Sequence, residues 1–237
     1  MRIFVSRAIP SCGLDKLSEA GCDVDVWPDP LPPSREEFLK RVRGCSGILS
    51  MLSDPIDSAV MQEAGASLRV ISNFAVGTNN IDLAEAMVRG IAVGNTPDVL
   101  TDATADLTVA LLLSAARRLG EAQQYVKDGR WRTWEPLGHL GRSLHGKTLG
   151  VFGMGRIGSA VAHRCSGGWG MEVVYCSRTP KDHMAPEGSR HVDFDTLLEV
   201  SDFICVHAPL TQNTFHQFGF DAFKRMKTTA VFVNTGR

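Results

Sequence analysis

The sequence predicts an α/β protein built from two doubly wound, mostly parallel sheets, and three observations carry that prediction. Over the first hundred residues, short apolar runs alternate with amphipathic segments, the pattern of βαβ units. The apolar run Leu149-Gly150-Val151-Phe152 leads straight into Gly153-Met154-Gly155-Arg156-Ile157-Gly158, and an apolar-periodic segment follows it. Gly-x-Gly-x-x-Gly thus lies between a strand and a helix, the context in which that motif has meaning. The alternation then resumes to the end of the chain. Together these describe two Rossmann-like domains, residues 1–100 and residues 101–237.

In the first domain, strands are expected over 2–6, 23–27, 47–51, 68–72 and 91–94, and helices over 13–20, 35–42, 57–64 and 83–89. The breaker-rich stretch 28–33 separates the second strand from its helix. Ser34 is placed as that helix's N-cap, with Glu37 completing a capping box. No phosphate-binding glycine pattern occurs in this half. From Thr101 the pattern becomes helical, with Leu107, Leu111, Ala115, Arg118, Leu119 and Ala122 recurring at three- and four-residue steps. Asp128-Gly129 closes this run, which predicts one helix of about 27 residues and roughly 40 Å, long enough to bridge two domains. The next segment holds Trp131 and Trp134, which either pack back on their own domain or form a subunit contact.

The glycines of the central motif have separate tasks. Gly153 permits the tight turn, Gly155 lets backbone N–H groups approach a pyrophosphate, and Gly158 lets the helix pack on the strand. The helix, expected over 157–165, then points its positive end at the phosphates. After it come a strand over 172–176, a helix over 195–200, a strand over 202–207, a helix over 220–226 and a strand over 230–234. The end of the 172–176 strand decides the cofactor, because an acid there holds the ribose 2′-hydroxyl of NAD. This chain has Ser177-Arg178-Thr179-Pro180-Lys181 instead. Hydroxyls with Arg178 and Lys181 suit a 2′-phosphate, so NADP is the preferred cofactor, NAD the alternative if those cations are only solvated charges. Pro209, Thr211 and Thr214 follow the 202–207 strand at the edge where open α/β sheets bind ligands. His207 lies at the same edge and is read as hydrogen-bonded beside the cofactor rather than as a proton donor.

Composition narrows the classes. A net charge of −1 argues against nucleic-acid or membrane-surface binding by bulk electrostatics. The N-terminus has no signal-peptide pattern, and no apolar run approaches the ~18 residues of a membrane span. The six cysteines are scattered without metal-ligand spacing and read as free thiols in a reducing compartment, the cytoplasm.

Five ordered segments then carry a resemblance: residues 72–82 (Ser-Asn-Phe-Ala-Val-Gly-Thr-Asn-Asn-Ile-Asp), residues 95–106, the glycine turn, His207-Ala208-Pro209-Leu210-Thr211, and Val233-Asn234-Thr235-Gly236-Arg237. The chain resembles the D-2-hydroxyacid dehydrogenase family, and within it the glyoxylate/hydroxypyruvate reductases. The resemblance implies a flavodoxin-like substrate domain to about residue 100 and a doubly wound NAD(P)-binding domain beyond it. It implies hydride transfer between NADPH and a 2-keto acid, which calls for a carboxylate clamp, a group polarising the carbonyl, and an acid. By motif match, Val76 and Gly77 offer backbone N–H groups to the carboxylate, Leu52 and Ser53 border the pocket, Arg237 binds the keto acid, and Thr104 lies near the nicotinamide. The cofactor set implied is Thr104, Gly153, Gly155, Arg156, Ile157, Gly158, Ser177, Arg178, Thr179, His207, Pro209 and Thr214. The family also implies a homodimer. Its pattern places a glutamate and a histidine acid downstream of that arginine, so this chain is expected to be a truncated member with an incomplete cofactor domain and an unpaired edge at 230–234. The alternative from another class is an inactive nucleotide-binding sensor of the same fold.

Overall fold

The computed structural model describes residues 1–236. The chain divides into two compact units, Met1–Val99 and Leu100–Arg237.

The first unit runs β1 (Arg2–Val5), α1 (Ser11–Glu19), β2 (Asp23–Val26), α2 (Arg35–Val42), β3 (Gly47–Ser50), α3 (Ser58–Ala64), β4 (Val70–Asn73), α4 (Leu83–Val88) and β5 (Ala92–Gly94). Its strands form one parallel sheet in the order β2-β1-β3-β4-β5. That is the flavodoxin-like winding. Three of its four helices, α2, α3 and α4, start where a short polar side chain accepts a free N–H group, while α1 follows Pro10 without one. Ser34 accepts from the Glu37 amide, Asp57 from Val60 and Asp82 from Glu85. Phe4, Phe38, Val42, Ile48, Met61 and Ile71 fill the core, with Phe4 edge-on to Phe38 at 5.4 Å.

The second unit runs α5 (Thr101–Ala116), α6 (Leu119–Lys127), β6 (Thr148–Phe152), α7 (Arg156–Trp169), β7 (Glu172–Cys176), β8 (Arg190–His191), α8 (Phe194–Val200), β9 (Phe203–Val206), α9 (Phe220–Arg225) and β10 (Val231–Asn234). The sheet is parallel in the order β10-β9-β6-β7-β8. Counted within the unit this is 3-2-1-4-5 by position, the Rossmann winding, with its switch point between β6 and β9. β10 is an edge strand. Leu112, Leu149, Val151, Val161, Tyr175 and Phe203 are at the centre of the core.

The single helix expected over 101–128 is two helices. The break is at Arg117–Arg118, where Arg118 takes a left-handed conformation with φ +54°. Its cause is tertiary: the Arg142 amide donates to the Ala116 carbonyl at 2.7 Å, so that carbonyl is taken from outside the helix. A helix of 16 residues measures about 24 Å, not 40. Trp131 and Trp134 are 61% and 77% exposed, so neither is packed into its own core. Among the described residues no helix is long and apolar enough to cross a membrane. All six cysteines are free, and burial pushes the Cys165 thiol up to about 11.

Candidate functional site

The turn after β6 is shaped by what a side chain would strike there. Gly153 has φ +102°, and a Cβ on it would overlap the Ala208 backbone nitrogen and lie 2.7 Å from Ala208 Cα. Its amide donates to the Cys176 carbonyl at 2.9 Å, pinning the turn to the end of β7. On Gly158 a Cβ would overlap the Gly153 carbonyl oxygen. Gly155 differs, since a Cβ there meets nothing within 4 Å. It is the N-cap of α7, and as a glycine it has no side chain of its own to cap that helix end. Met154 is buried beneath the turn, Ile157 packs partly on the core, and Arg156 is exposed. The helix N-terminus thus offers backbone donors beside open space, which fits a phosphate group.

At the end of β7, Ser177 Oγ donates to the Thr179 carbonyl at 2.7 Å, and the Ser177 carbonyl lies 2.9 Å from His191 Nε2. The buried Tyr175 hydroxyl donates to Asp182 Oδ1 and accepts from the Lys181 amide, each at 2.8 Å. Asp182, an acid close to the strand end, is therefore engaged by Tyr175. Arg178 is exposed and forms no ion pair among the described residues.

Beyond β9 the chain enters a cavity of about 260 Å³ whose walls include Phe152, Val206, Pro209, Thr214, Phe215 and Asn234. Thr214 Oγ1 donates to the Pro209 carbonyl at 2.7 Å and accepts from the Thr211 amide at 2.8 Å. Its hydroxyl shapes the loop that walls this cavity. A larger open groove of about 510 Å³ lies over α6, lined by Arg118, Tyr125, Arg130 and His139 among others, and includes no residue of the glycine turn.

His207 closes a chain of hydroxyls. Thr108 Oγ1 donates to the Thr104 carbonyl at 2.8 Å, so it accepts from Thr235 Oγ1 at 3.0 Å. Thr235 Oγ1 in turn stands 3.5 Å from His207 Nδ1, which is then the protonated ring nitrogen. Burial pulls the His207 pKa down to about 4, and the buried Nε2 has no partner. At neutral pH the ring is uncharged and presents an acceptor to any N–H or O–H brought to it. An orphaned acceptor beside a glycine turn fits a nucleotide ligand, whereas a proton donor would need the charged ring.

In the first unit, the segments after β3 and β4 emerge at the same sheet edge. Leu52 and Ser53 are exposed in the turn after β3, while Val76 and Gly77 are half-buried after β4. Three residues that the sequence did not single out individually bind these segments together. Asp54, 2% exposed, accepts from Ser6, from Arg7 at 3.2 Å and from the Met51 amide at 2.8 Å. Asn80 Nδ2 donates to the Met51 and Asp54 carbonyls at 3.1 and 3.0 Å. The buried Asn73 donates to Asn80 Oδ1 at 3.0 Å and to the Gly77 carbonyl at 2.7 Å. Thr104 is half-buried in the first turn of α5. Arg237 lies outside the described residues.

Residues 109–237 match the family model described as D-isomer specific 2-hydroxyacid dehydrogenase, NAD binding domain. The chain is 47% identical over 238 residues to the glyoxylate reductase of Korarchaeum cryptofilum, covering 100% of this chain and 71% of the relative. It is 45% identical over 241 residues to that of Thermococcus litoralis, covering 100% and 72%. Among solved structures, the TT0316 protein of Thermus thermophilus superposes with a TM-score of 0.93 at 44% identity, covering 100% of this chain and 74% of that one. With a nicotinamide-binding domain over more than half its length and such relatives along all of it, the chain belongs to the D-isomer specific 2-hydroxyacid dehydrogenase family.

Proposed function

We propose that this chain binds NADPH and a small 2-keto acid of the glyoxylate or hydroxypyruvate type, and acts in hydride transfer between them. The glycine turn at the switch point, with its uncapped helix end, is the observation that carries the reading. The nicotinamide cofactor, when bound, supplies the hydride. Gly153, Gly155, Arg156, Ile157 and Gly158 hold its pyrophosphate, Ser177, Arg178 and Thr179 its ribose, and Thr104, His207, Pro209 and Thr214 border the rest. The first unit, residues 1–100, takes the substrate: Val76 and Gly77 offer N–H groups to its carboxylate, Leu52 and Ser53 border it, and Arg237 polarises its carbonyl. Residues 101–237 take the cofactor. The names of the reductases of Korarchaeum and Thermococcus support glyoxylate as substrate class. A nucleotide-binding sensor without turnover has no observation of its own in its favour.

The NADP preference is supported by Tyr175 engaging Asp182 and by Arg178 being exposed with no ion pair among the described residues. In fluorescence titrations NADPH is expected to bind more tightly than NADH. Arg178→Ala should weaken NADPH about tenfold or more and leave NADH unchanged, as befits a charge-assisted contact to phosphate. Equal losses for both dinucleotides would sink the assignment. NADPH oxidation with glyoxylate then tests the reaction. NADPH consumption that depends on added glyoxylate is the expected result, and its absence would count against the reaction.

A homodimer is supported by exposed Leu107, Leu111, Leu119, Val126, Trp131, Trp134 and Leu137 in the second unit. Light scattering is expected to give twice 25.7 kDa, and Trp134→Arg to give the monomer. Six free thiols support a reducing compartment such as the cytoplasm.

A further inference from the structure

A trans peptide is planar, and its N–H points opposite to its C=O. Fixing a carbonyl therefore aims the amide of the next residue. Three successive carbonyls after β4 are fixed in this way. The Ala75 carbonyl accepts from the Thr96 amide at 2.9 Å, the Val76 carbonyl from Asn95 Nδ2 at 2.7 Å, and the Gly77 carbonyl from Asn73 Nδ2 at 2.7 Å. No peptide bond among the described residues is cis. The amides of Val76, Gly77 and Thr78 are consequently turned away from those anchors, and none of the three donates a hydrogen bond within the described residues. Three adjacent N–H groups left free while their carbonyls are all engaged make a concentration of positive partial charge.

Both side-chain anchors are themselves supported. Asn73 is fully buried, with its Oδ1 accepting from Ser50 Oγ at 2.9 Å. Its amide orientation is thereby set, because the oxygen is occupied by a hydroxyl and the nitrogen is left to reach Gly77. Asn95 follows β5 directly and is exposed, so its one bond to Val76 can be removed without opening the core.

We infer that Asn73 and Asn95 are positioning residues for keto-acid binding, which aim the amides of Val76, Gly77 and Thr78 at the substrate carboxylate, Thr78 adding a third donor. This rests on the reading of Val76 and Gly77 as the carboxylate-binding loop. Neither asparagine touches the ligand. Each acts through the peptide it grips.

The test is titration of the 237-residue chain with oxalate, with and without NADPH, by calorimetry and by amide chemical shifts. Parent, Asn95→Ala and Asn95→Gln are compared, with Asn73→Ser as a second site. In the parent the amides of Val76, Gly77 and Thr78 are expected to shift on addition of oxalate. Asn95→Ala should keep its melting temperature and NADPH affinity and weaken oxalate about fivefold to tenfold. Asn95→Gln, which keeps the donor, should recover most of that loss. Oxalate binding unchanged in Asn95→Ala, with the Gly77 amide shifting as in the parent, would overturn the inference. Oxalate bound by the parent without movement of the three amides would instead remove the loop assignment on which it rests.

Discussion

Alanine at Gly153 is expected to destabilise the second unit by about 3 kcal/mol, combining left-handed backbone strain with a clash that no side-chain rotation relieves. The atoms in the way are the backbone nitrogen and Cα of Ala208, part of the chain leaving β9. Relief would require β6 and β9 to separate, and these strands pair in register from Leu149 to Phe152. Dinucleotide binding should be lost together with the fold of the turn. Alanine at Gly155 is the informative contrast. With ordinary backbone angles and nothing within 4 Å of its Cβ, it should leave the urea midpoint unchanged. The new methyl would nonetheless occupy the space that the uncapped end of α7 offers a ligand, so dinucleotide affinity should fall at least tenfold. Urea denaturation and a fluorescence titration on the two variants separate the roles. Equal stability losses in both would show that the turn is constrained throughout, and intact affinity in Gly155→Ala would show that no ligand approaches there.

This contrast marks what was legible in the sequence. Requirements of the backbone are written locally, so the glycine spacing and the Ser34 cap could be read from neighbours in the chain. Parallel winding followed from alternation, since short apolar runs separated by amphipathic segments have few other solutions. What failed to show depends on partners distant in sequence. Nothing between Thr101 and Asp128 announces the break at Arg118, because the apolar period runs on through Leu119 and Ala122. The break is fixed by Arg142 capturing the Ala116 carbonyl. β8 leaves no mark in the sequence because two residues carry no periodicity; pairing with β7 alone defines it. The same holds at the candidate site. Asn73 and Asn95 lie within the segments 72–82 and 95–106, yet their bonds to the Gly77 and Val76 carbonyls appear only once β4 and β5 lie side by side. The bonds of Thr214 to Pro209 and Thr211, which shape the loop walling the cavity, likewise appear only in the folded chain.

His207 should make the second unit sensitive to acid well above the range where carboxylates titrate. Its folded pKa lies near 4 against an ordinary 6.5, and burial is the cause. As pH falls through 6.5 the unfolded chain takes up a proton that the folded ring refuses until about pH 4. Between those values the unfolded state binds more protons, so stability rises with pH. The contribution is fully present above about 6.5 and fully lost below about 4. The whole shift corresponds to about 3 kcal/mol, of which about 2 kcal/mol should be gone by pH 5. His207→Asn removes the titrating group while leaving a polar side chain near Thr235. Comparing urea unfolding of the two proteins at pH 7.5 and pH 5 isolates this term from the carboxylates, which both share. The parent should lose about 2 kcal/mol more than the variant over that interval. An equal loss in both would mean that the ring reaches solvent and titrates normally. It could then be charged near neutrality, and the case against His207 as the proton donor in keto-acid reduction would fall with it.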